Sequence, residues 1–332
     1  MKARLTHAPM IALLAGLWLG CPAEVIDAPS GDDDNDDGDD DDVTGDEPPH
    51  PLELAAEVDG DELTNTIADL EGFGTRYTFS DGDDQARDYL EDRLEELGLS
   101  PELDTFEVQG ETAANVIARK EGLERPDIVY VFSAHYDSTS ENPQVSAPGA
   151  DDNASAVAAV LEAARILAPL DTKYSMWFVL TAAEEQGSVG SAHMVDWLAA
   201  DGVDVRGVIA PDMIGYWPLG DDDSMDILGD EGSRELAEQM AAMAVRLGVS
   251  HKVWIQHSYC YGDDHTNFQE AGYPAISPMD CVEAHNVPAS GETLPHYHRT
   301  SDTLDTLHMD FTTRVTQVLV GTFAELSEPL GG

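Results

Sequence analysis

Basic residues are scarce in this sequence. Its 332 residues include 16 Lys and Arg against 66 Asp and Glu, which gives a formal net charge of −50 at pH 7. Binding to nucleic acid requires a concentrated positive surface that neutralises phosphates, so we expect no nucleic-acid partner. Such an acidic surface favours solubility and self-repulsion, which dissolved salt screens. We expect the folded chain to be a monomer.

Long apolar runs are also lacking at the amino terminus. The run from Pro9 to Gly20 is too short to span a bilayer comfortably. Lys2 and Arg4 precede it, and this order predicts an export signal over residues 1–20. Gly20 followed by Cys21 is typical of a bacterial lipoprotein signal, and a lipid on Cys21 would be the only attachment to a membrane. The prediction is therefore export, as a cell-envelope lipoprotein or as an ordinary secreted protein.

Only three cysteines are present. If Cys21 carries a lipid, Cys260 and Cys281 remain as a pair that could form one disulfide in an oxidising compartment. The alternative for this pair is two buried free thiols.

The segment from Asp32 to Asp42 is almost entirely Asp. It has no apolar surface to bury and its charges repel one another, so residues 21–50 are predicted to be a tether and a disordered linker. Residues 51–332 are enough for one large domain with a substantial core.

Apolar patterns in this domain alternate between strand and helix. Continuous apolar runs at residues 127–134, 176–182 and 207–211 are typical of strands buried on both faces, and residues 273–278 predict another strand. Helical spacing occurs at residues 83–97 and 153–167, and helices are also predicted at 187–200, 232–247 and 310–327. The pattern predicts an α/β fold with a mixed, mostly parallel sheet flanked by helices.

Three of the apolar runs end at side chains that bind metals. His135 follows the first run, Glu184 and Glu185 follow the second, and Asp212 follows the third. Ligands of open α/β sheets bind at the carboxyl ends of the strands, so we expect these side chains to meet. No compact His-Glu-x-x-His motif is present, which fits a site assembled from distant parts of the chain.

Five short motifs resemble, in order and approximate spacing, those of the secreted bacterial di-zinc aminopeptidases of the leucyl aminopeptidase type. The motifs are His135-Tyr-Asp137, Gly149-Ala-Asp151-Asp-Asn-Ala-Ser155, Glu184-Glu185-x-Gly187, Asp212-Met-Ile-Gly215 and Tyr297-His298-x-x-x-Asp302. The resemblance extends from about Ala56 to the end of the chain and implies the zinc exopeptidase fold.

The resemblance also implies a ligand set for two Zn²⁺ ions. His135 and Asp212 would bind one ion, Glu185 and His298 the other, and Asp151 would bridge both. Neutral imidazole and carboxylate groups suit zinc and leave the ions able to polarise a carbonyl oxygen. Glu184 would be the general base that takes a proton from the shared water and passes it to the departing amine.

Supporting roles follow from the same resemblance. Asp137 is expected to orient His135, and Asp302 is expected to orient His298. A cis peptide bond is expected between Asp151 and Asp152.

The substrate would be a peptide with a free amino terminus and an apolar first residue. Met213, Ile214 and Met279 could line the pocket for that residue. Either Tyr259 or Tyr261 could steady the oxyanion of the reaction, and the sequence does not choose between them.

Three other functions stay open. A glutaminyl cyclase would use similar zinc ligands to cyclise an amino-terminal Gln without hydrolysis. A binding domain would have kept the fold and lost catalysis, but such a domain should lack ligands. A carboxypeptidase would need a cation for the free carboxylate, for which Arg76 and Arg299 are the nearby candidates.

Overall fold

The computed structural model describes residues 47–217, 223–256, 262–280 and 295–331. The export signal, most of the linker, the lipidation site Cys21, the disulfide pair Cys260 and Cys281, and both tyrosines proposed for the oxyanion, Tyr259 and Tyr261, lie outside these residues. These assignments stay predictions. Within the described ranges, no helix has the length and apolar character needed to cross a bilayer.

The described residues form one mixed sheet covered by helices on both faces. The strands are β1 Glu102–Val108, β2 Glu111–Lys120, β3 Arg125–His135, β4 Tyr174–Thr181, β5 Asp204–Ile209, β6 Met225–Gly229, β7 His251–Ile255 and β8 Ala275–Met279. The helices are α1 Pro51–Ala56, α2 Gly60–Gly72, α3 Asp81–Glu96, α4 Ala156–Leu167, α5 Val189–Asp201, α6 Arg234–Leu247, α7 Asp264–Glu270 and α8 Met309–Ser327.

The sheet has the strand order β1-β2-β4-β3-β5-β8-β6-β7. Strands β4, β3, β5 and β8 run parallel through its centre, whereas β2 pairs antiparallel with both β1 and β4, and β6 pairs antiparallel with β8. The predicted α/β class with a mixed, mostly parallel sheet is confirmed.

The central strands are buried because their sequences are apolar on both faces. The larger core cluster joins residues of α2, α3, α4, α6 and α8 to one face of the sheet. The smaller cluster joins α5 and α7 to the opposite face, where Leu198 and Phe268 are fully buried. Helix α4 is buried along almost its whole length, as expected for a helix that is apolar nearly all round.

Parallel pairing brings three strand ends to one edge. In the register of β3 with β4, His135 pairs with Thr181, so Glu184 and Glu185 follow directly beside it. Strand β5 lies on the other side of β3 and ends just before Asp212. The strand-end argument from the sequence is therefore confirmed, and it places the candidate site at this edge.

Candidate metal centre

His135 is the last residue of β3 and is almost completely buried. Its Nδ1 lies 3.2 Å from the carbonyl oxygen of Asp137, which can accept a hydrogen bond from this nitrogen. That bond fixes the ring and leaves Nε2 as the free electron-pair donor. Among the described residues, Nε2 has no hydrogen-bond partner.

Two groups of metal-binding side chains share one carboxylate. In the first group, Nε2 of His135 lies 3.4 Å from Oδ1 of Asp152 and 3.5 Å from Oδ1 of Asp212. In the second group, Nε2 of His298 lies 3.3 Å from Oδ2 of Asp152 and 3.1 Å from Oε2 of Glu185. The two oxygens of Asp152 therefore face one group each.

The donor atoms fit zinc in type and spacing. Ligands held about 2.0–2.2 Å from a tetrahedral ion are separated from one another by roughly 3.3–3.6 Å. The separations here are 3.1 to 3.5 Å. Oδ1 of Asp212 and Oε1 of Glu185 are also buried without a hydrogen-bond partner among the described residues. Buried polar atoms normally have a hydrogen-bond partner, so these unpartnered nitrogen and oxygen atoms indicate a bound ion.

The shared carboxylate belongs to Asp152, which corrects the prediction of Asp151. The irregular turn Ala150–Ser155 starts after Gly149, whose φ of 56° is left-handed, and helix α4 begins only at Ala156. In this turn Oδ1 of Asp151 accepts a hydrogen bond from the N–H of Gly215 at 2.7 Å. Asp151 thus faces the segment after β5, whereas Asp152 faces both histidines. The cis peptide bond joins Asp152 to Asn153, one residue later than predicted.

Asp302 supports the turn that carries Asp152, which corrects its predicted role on His298. Its carboxylate accepts hydrogen bonds from the N–H groups of Asp151 at 2.9 Å and of Asp152 at 3.1 Å. It therefore fixes the backbone of the shared ligand rather than an imidazole ring.

The segment that delivers His298 is fastened at three points. Besides Asp302, Glu141 accepts hydrogen bonds from the N–H and the hydroxyl of Thr300, both at 2.9 Å. Glu71 accepts one from the N–H of Leu304 at 2.6 Å. His298 itself has a φ of 54°, and the Tyr297 ring stacks on its imidazole at 3.7 Å between ring centroids.

Asp137 arranges the two glutamates as well as His135. Its Oδ1 accepts a hydrogen bond from the N–H of Glu184 at 3.0 Å, and its Oδ2 accepts one from the N–H of Glu185 at 3.2 Å. The side chains of Glu184 and Glu185 point in different directions. Glu185 contacts His298, and Oε1 of Glu184 accepts a hydrogen bond from the Ser188 hydroxyl at 2.8 Å.

The site concentrates negative charge in a buried place. Burial raises the pKa of Asp212 to about 6 and that of Glu185 to about 7, and it raises the pKa of Glu184 well above its usual range. Burial lowers the pKa of His298, but hydrogen bonds to Asp152 and Glu185 outweigh this and raise it to about 10. All of these shifts indicate a carboxylate cluster that favours a nearby positive charge.

A small, open pocket lies beside Asp152. The residues that line it are Asp151, Asp152, Met213, Tyr216, His296, Tyr297 and Asp302. Of the three predicted pocket residues, Met213 lines this pocket. Ile214 is buried in the main core, and Met279 packs with Leu228 and Trp254 elsewhere. The aromatic lining residues were missed because the sequence shows no pattern that brings Tyr216 to Tyr297.

Arg76 is not placed to bind the free carboxylate that a carboxypeptidase substrate would carry. Arg76 is completely buried, and its guanidinium donates hydrogen bonds to the backbone carbonyls of Leu70, Tyr136, Pro148 and Gly149. Four of its five N–H groups are used in this way, and its complete burial keeps it from the carboxylate of a substrate.

Comparison with known proteins agrees with this geometry. The model of a family described as peptidase family M28 matches residues 115–323. The chain belongs to peptidase family M28. A protein of Pyrenophora tritici-repentis named as a probable zinc metalloprotease is 29% identical over 338 residues, which span 83% of this chain and 68% of the relative. The M28 chain is thus a member of a zinc-dependent peptidase family.

Two solved structures share the fold. A zinc aminopeptidase from Bacillus subtilis superposes with a TM-score of 0.71 at 17% identity, covering 82% of this chain and 96% of that one. A glutaminyl cyclase from Fimbriiglobus ruber gives 0.64 at 19% identity, covering 80% and 95%. At these identities the likeness concerns the M28 fold alone. The relative from Pyrenophora tritici-repentis is fungal, so the bacterial and leucyl aminopeptidase assignments stay predictions.

Proposed function

We propose that this M28 protein is an aminopeptidase that binds two zinc ions and removes apolar residues from the amino termini of peptides. The observation that carries the proposal is the position of Asp152. Its two carboxylate oxygens lie 3.4 and 3.3 Å from two different histidines, each of which has a second carboxylate beside it. A carboxylate in this position suits two cations that share a ligand.

In this proposal each metal-binding side chain belongs to one of two ligand sets. His135, Asp212 and Oδ1 of Asp152 would hold one ion, and His298, Glu185 and Oδ2 of Asp152 would hold the other. Zinc bound here would polarise the scissile carbonyl and make a bound water acidic enough to lose its proton near neutral pH. Each set has three protein ligands, as in catalytic zinc sites that keep a position open for water or substrate.

Glu184 is the proposed general base. It follows β4 beside Glu185 but does not share that residue's contact with His298. Burial raises the pKa of Glu184, and the nearby charges of His135 and Asp212 also affect it, which supports a position beside the proposed ions. Glu184 accepts a proton from the attacking water and returns it to the amine of the leaving group.

The surroundings favour a free amino terminus and an apolar first residue. Three carboxylates, those of Asp151, Asp152 and Asp302, line the pocket and suit an ammonium group. Met213 and the rings of Tyr216 and Tyr297 supply apolar surface in the same pocket. Burial of a side chain such as Leu against them would contribute about 1.5–3 kcal/mol.

The test compares zinc content and hydrolysis of leucine p-nitroanilide in the wild type and Glu184→Gln. We expect about two zinc ions per chain in both proteins and a loss of turnover of at least about a hundredfold in the variant, because removal of an acid–base group costs roughly 10²–10⁴. Glu121→Gln alters an exposed glutamate and should behave as the wild type. A variant Glu184→Gln with normal turnover would remove the base from the proposal.

The cyclase alternative is tested in the same assay. The fold likeness to the Fimbriiglobus ruber glutaminyl cyclase is the observation in its favour. A peptide with amino-terminal Gln would lose ammonia and keep all its peptide bonds under cyclisation, whereas an aminopeptidase releases free Gln. We expect release of the first residue. Ammonia release without a shortened peptide would replace the proposed function with the cyclase.

A further inference from the structure

Ser188 is placed unusually for a serine at the start of a helix. A serine in this position normally accepts a hydrogen bond from a backbone N–H of the first turn. At the start of α5 the Ser188 side chain makes no such bond. Its hydroxyl lies instead 2.8 Å from Oε1 of Glu184 and 2.9 Å from the carbonyl oxygen of Gly262.

The backbone conformation of Ser188, which directs the hydroxyl toward Glu184, is strained. Its φ of 52° and ψ of 41° are left-handed, a conformation in which residues other than glycine are strained by about 1–2 kcal/mol. Glycine would adopt the same backbone without that cost but would have no hydroxyl. Support for the helix therefore does not explain the serine side chain.

The hydroxyl is held in a rigid setting. Ser188 is 3% exposed, and its N–H donates to the carbonyl oxygen of Glu184 at 2.7 Å. The carbonyl oxygen of Ser188 accepts a hydrogen bond from Nδ2 of Asn267 on α7 at 2.9 Å. With the main chain fixed on both sides, the hydroxyl can restrain the glutamate side chain rather than follow it.

We propose that Ser188 is a positioning residue for Glu184: its hydroxyl donates to Oε1, fixes the orientation of the carboxylate and leaves Oε2 to exchange protons with the attacking water. This inference rests on the proposed function. A general base works only within hydrogen-bond reach of the proton that it takes, so an unrestrained Glu184 would be correctly oriented for a smaller fraction of the time.

Two substitutions at Ser188 separate the hydroxyl from the backbone. Ser188→Gly removes the hydroxyl and relieves the left-handed strain, so the melting temperature should stay equal or rise while kcat falls about tenfold to a hundredfold. Ser188→Thr keeps the hydroxyl but places a β-branched residue at positive φ, so the melting temperature should fall while kcat stays within about threefold of the wild type. KM and zinc content should be unchanged in both.

Ser191→Ala is the matched control. Ser191 is a fully buried serine on the same helix, and its hydroxyl donates to the carbonyl oxygen of Ser188 at 3.1 Å. Its loss loosens the same turn without removing a contact of Glu184. We expect a lower melting temperature and a kcat within about threefold of the wild type.

The experiment uses the full zinc-loaded chain and leucine p-nitroanilide, with each substitution also made in the Glu184→Gln background. Ser188→Gly should cause no further loss there, because the glutamine of that background cannot act as a base and its orientation by the hydroxyl no longer affects turnover. The inference is overturned if Ser188→Gly keeps its kcat, if zinc content falls with kcat, or if Ser191→Ala loses as much. If the wild type does not release leucine, or if Glu184→Gln is fully active, the proposed function itself has failed.

Discussion

Two adjacent aspartates show how strongly surroundings decide the role of a residue. Asp151 and Asp152 are both buried, yet one bonds to the backbone N–H of Gly215 and the other faces two histidines. Their carboxylates are chemically identical. The direction of the irregular turn, fixed by the two hydrogen bonds to Asp302, determines which one can bind metal.

Asp152→Asn and Asp151→Asn form a matched pair for this assignment. Asp152→Asn removes the negative charge that both ligand sets share. Loss of a residue that only hydrogen-bonds to a metal ligand lowers metal affinity about 10- to 100-fold, so loss of this ligand should lower zinc affinity by at least about a hundredfold. Asp151→Asn keeps an oxygen that can accept from Gly215 and should retain its zinc. Competition titration against a chelator measures both. The reverse order of affinities would return the bridging role to Asp151.

Asp83 gives the protein a pH-dependent stability that is separate from catalysis. It lies in the first turn of α3, and its Oδ1 is buried without a hydrogen-bond partner among the described residues. Burial, followed by repulsion from Asp137, raises the pKa of Asp83 far above its ordinary value, to about 8. The folded protein thus keeps a proton that the unfolded chain has already released.

The sign of the pH effect follows from this proton. Between about pH 5 and 7 the folded state binds more protons than the unfolded state at this site, so stability falls as pH rises, by up to about 1.4 kcal/mol per pH unit. Asp83→Asn should remove this slope and be more stable than the wild type at pH 8, with a smaller difference at pH 5. Denaturant unfolding of both zinc-loaded proteins at each pH tests this. A difference that is constant across pH would contradict it.

At the scale of elements, Arg76 joins three parts of the fold around the site. Its guanidinium binds the carbonyls of Leu70 in α2, Tyr136 after β3, and Pro148 and Gly149 before the irregular turn. The Cβ that any other residue would add at Gly149 would lie 2.8 Å from Nη2 of Arg76, so the approach is close. The turn that carries Asp152 is therefore anchored on both sides, by Arg76 before it and by Asp302 against its amides.

Arg76→Met should destabilise the protein by about 3–5 kcal/mol, because it leaves several buried carbonyls without a donor. Arg87→Met is the control, since Arg87 is partly exposed and pairs with the exposed Asp84 and Asp88. Loss of such surface pairs costs about 0–1 kcal/mol. Urea unfolding, with its midpoint and slope, measures the difference. Equal midpoints for the two variants would show that the Arg76 contacts stabilise little.

The elements that end at the site were predictable from their apolar runs, whereas helix α2, strand β2 and several short strands were not predicted. The strands that end at His135, before Glu184 and before Asp212 were placed within a few residues, as was the helix Asp81–Glu96. Strands β6 and β7 have five residues each, and β1 is an edge strand with two exposed glutamates. Such segments carry too few apolar residues to establish a period.

At the scale of the whole molecule, the order of the motifs in the sequence predicted most of the residues that form the site. It did not predict the contacts that each of them makes. His135, Glu185 and Asp212 meet as expected because parallel strands share an edge, and the turn segment after β8 brings His298 to them. The register of the Asp151-Asp152 pair, the position of Asp302 and the lining of the pocket depend on contacts between residues more than sixty positions apart. No local pattern encodes such contacts.

The histidines of the two ligand sets also lie on different kinds of backbone. His135 ends a central strand and its side chain is 2% exposed, whereas His298 lies on a segment fastened by Glu141, Glu71 and Asp302 and is 38% exposed. If two ions bind as proposed, the one beside His298 should therefore exchange with dissolved zinc sooner than the other. Uptake of isotopically enriched zinc would then proceed in two phases, and replacement of Glu141 by Gln would quicken the faster one. A single phase would mean that both ions leave together, through the carboxylate that they share.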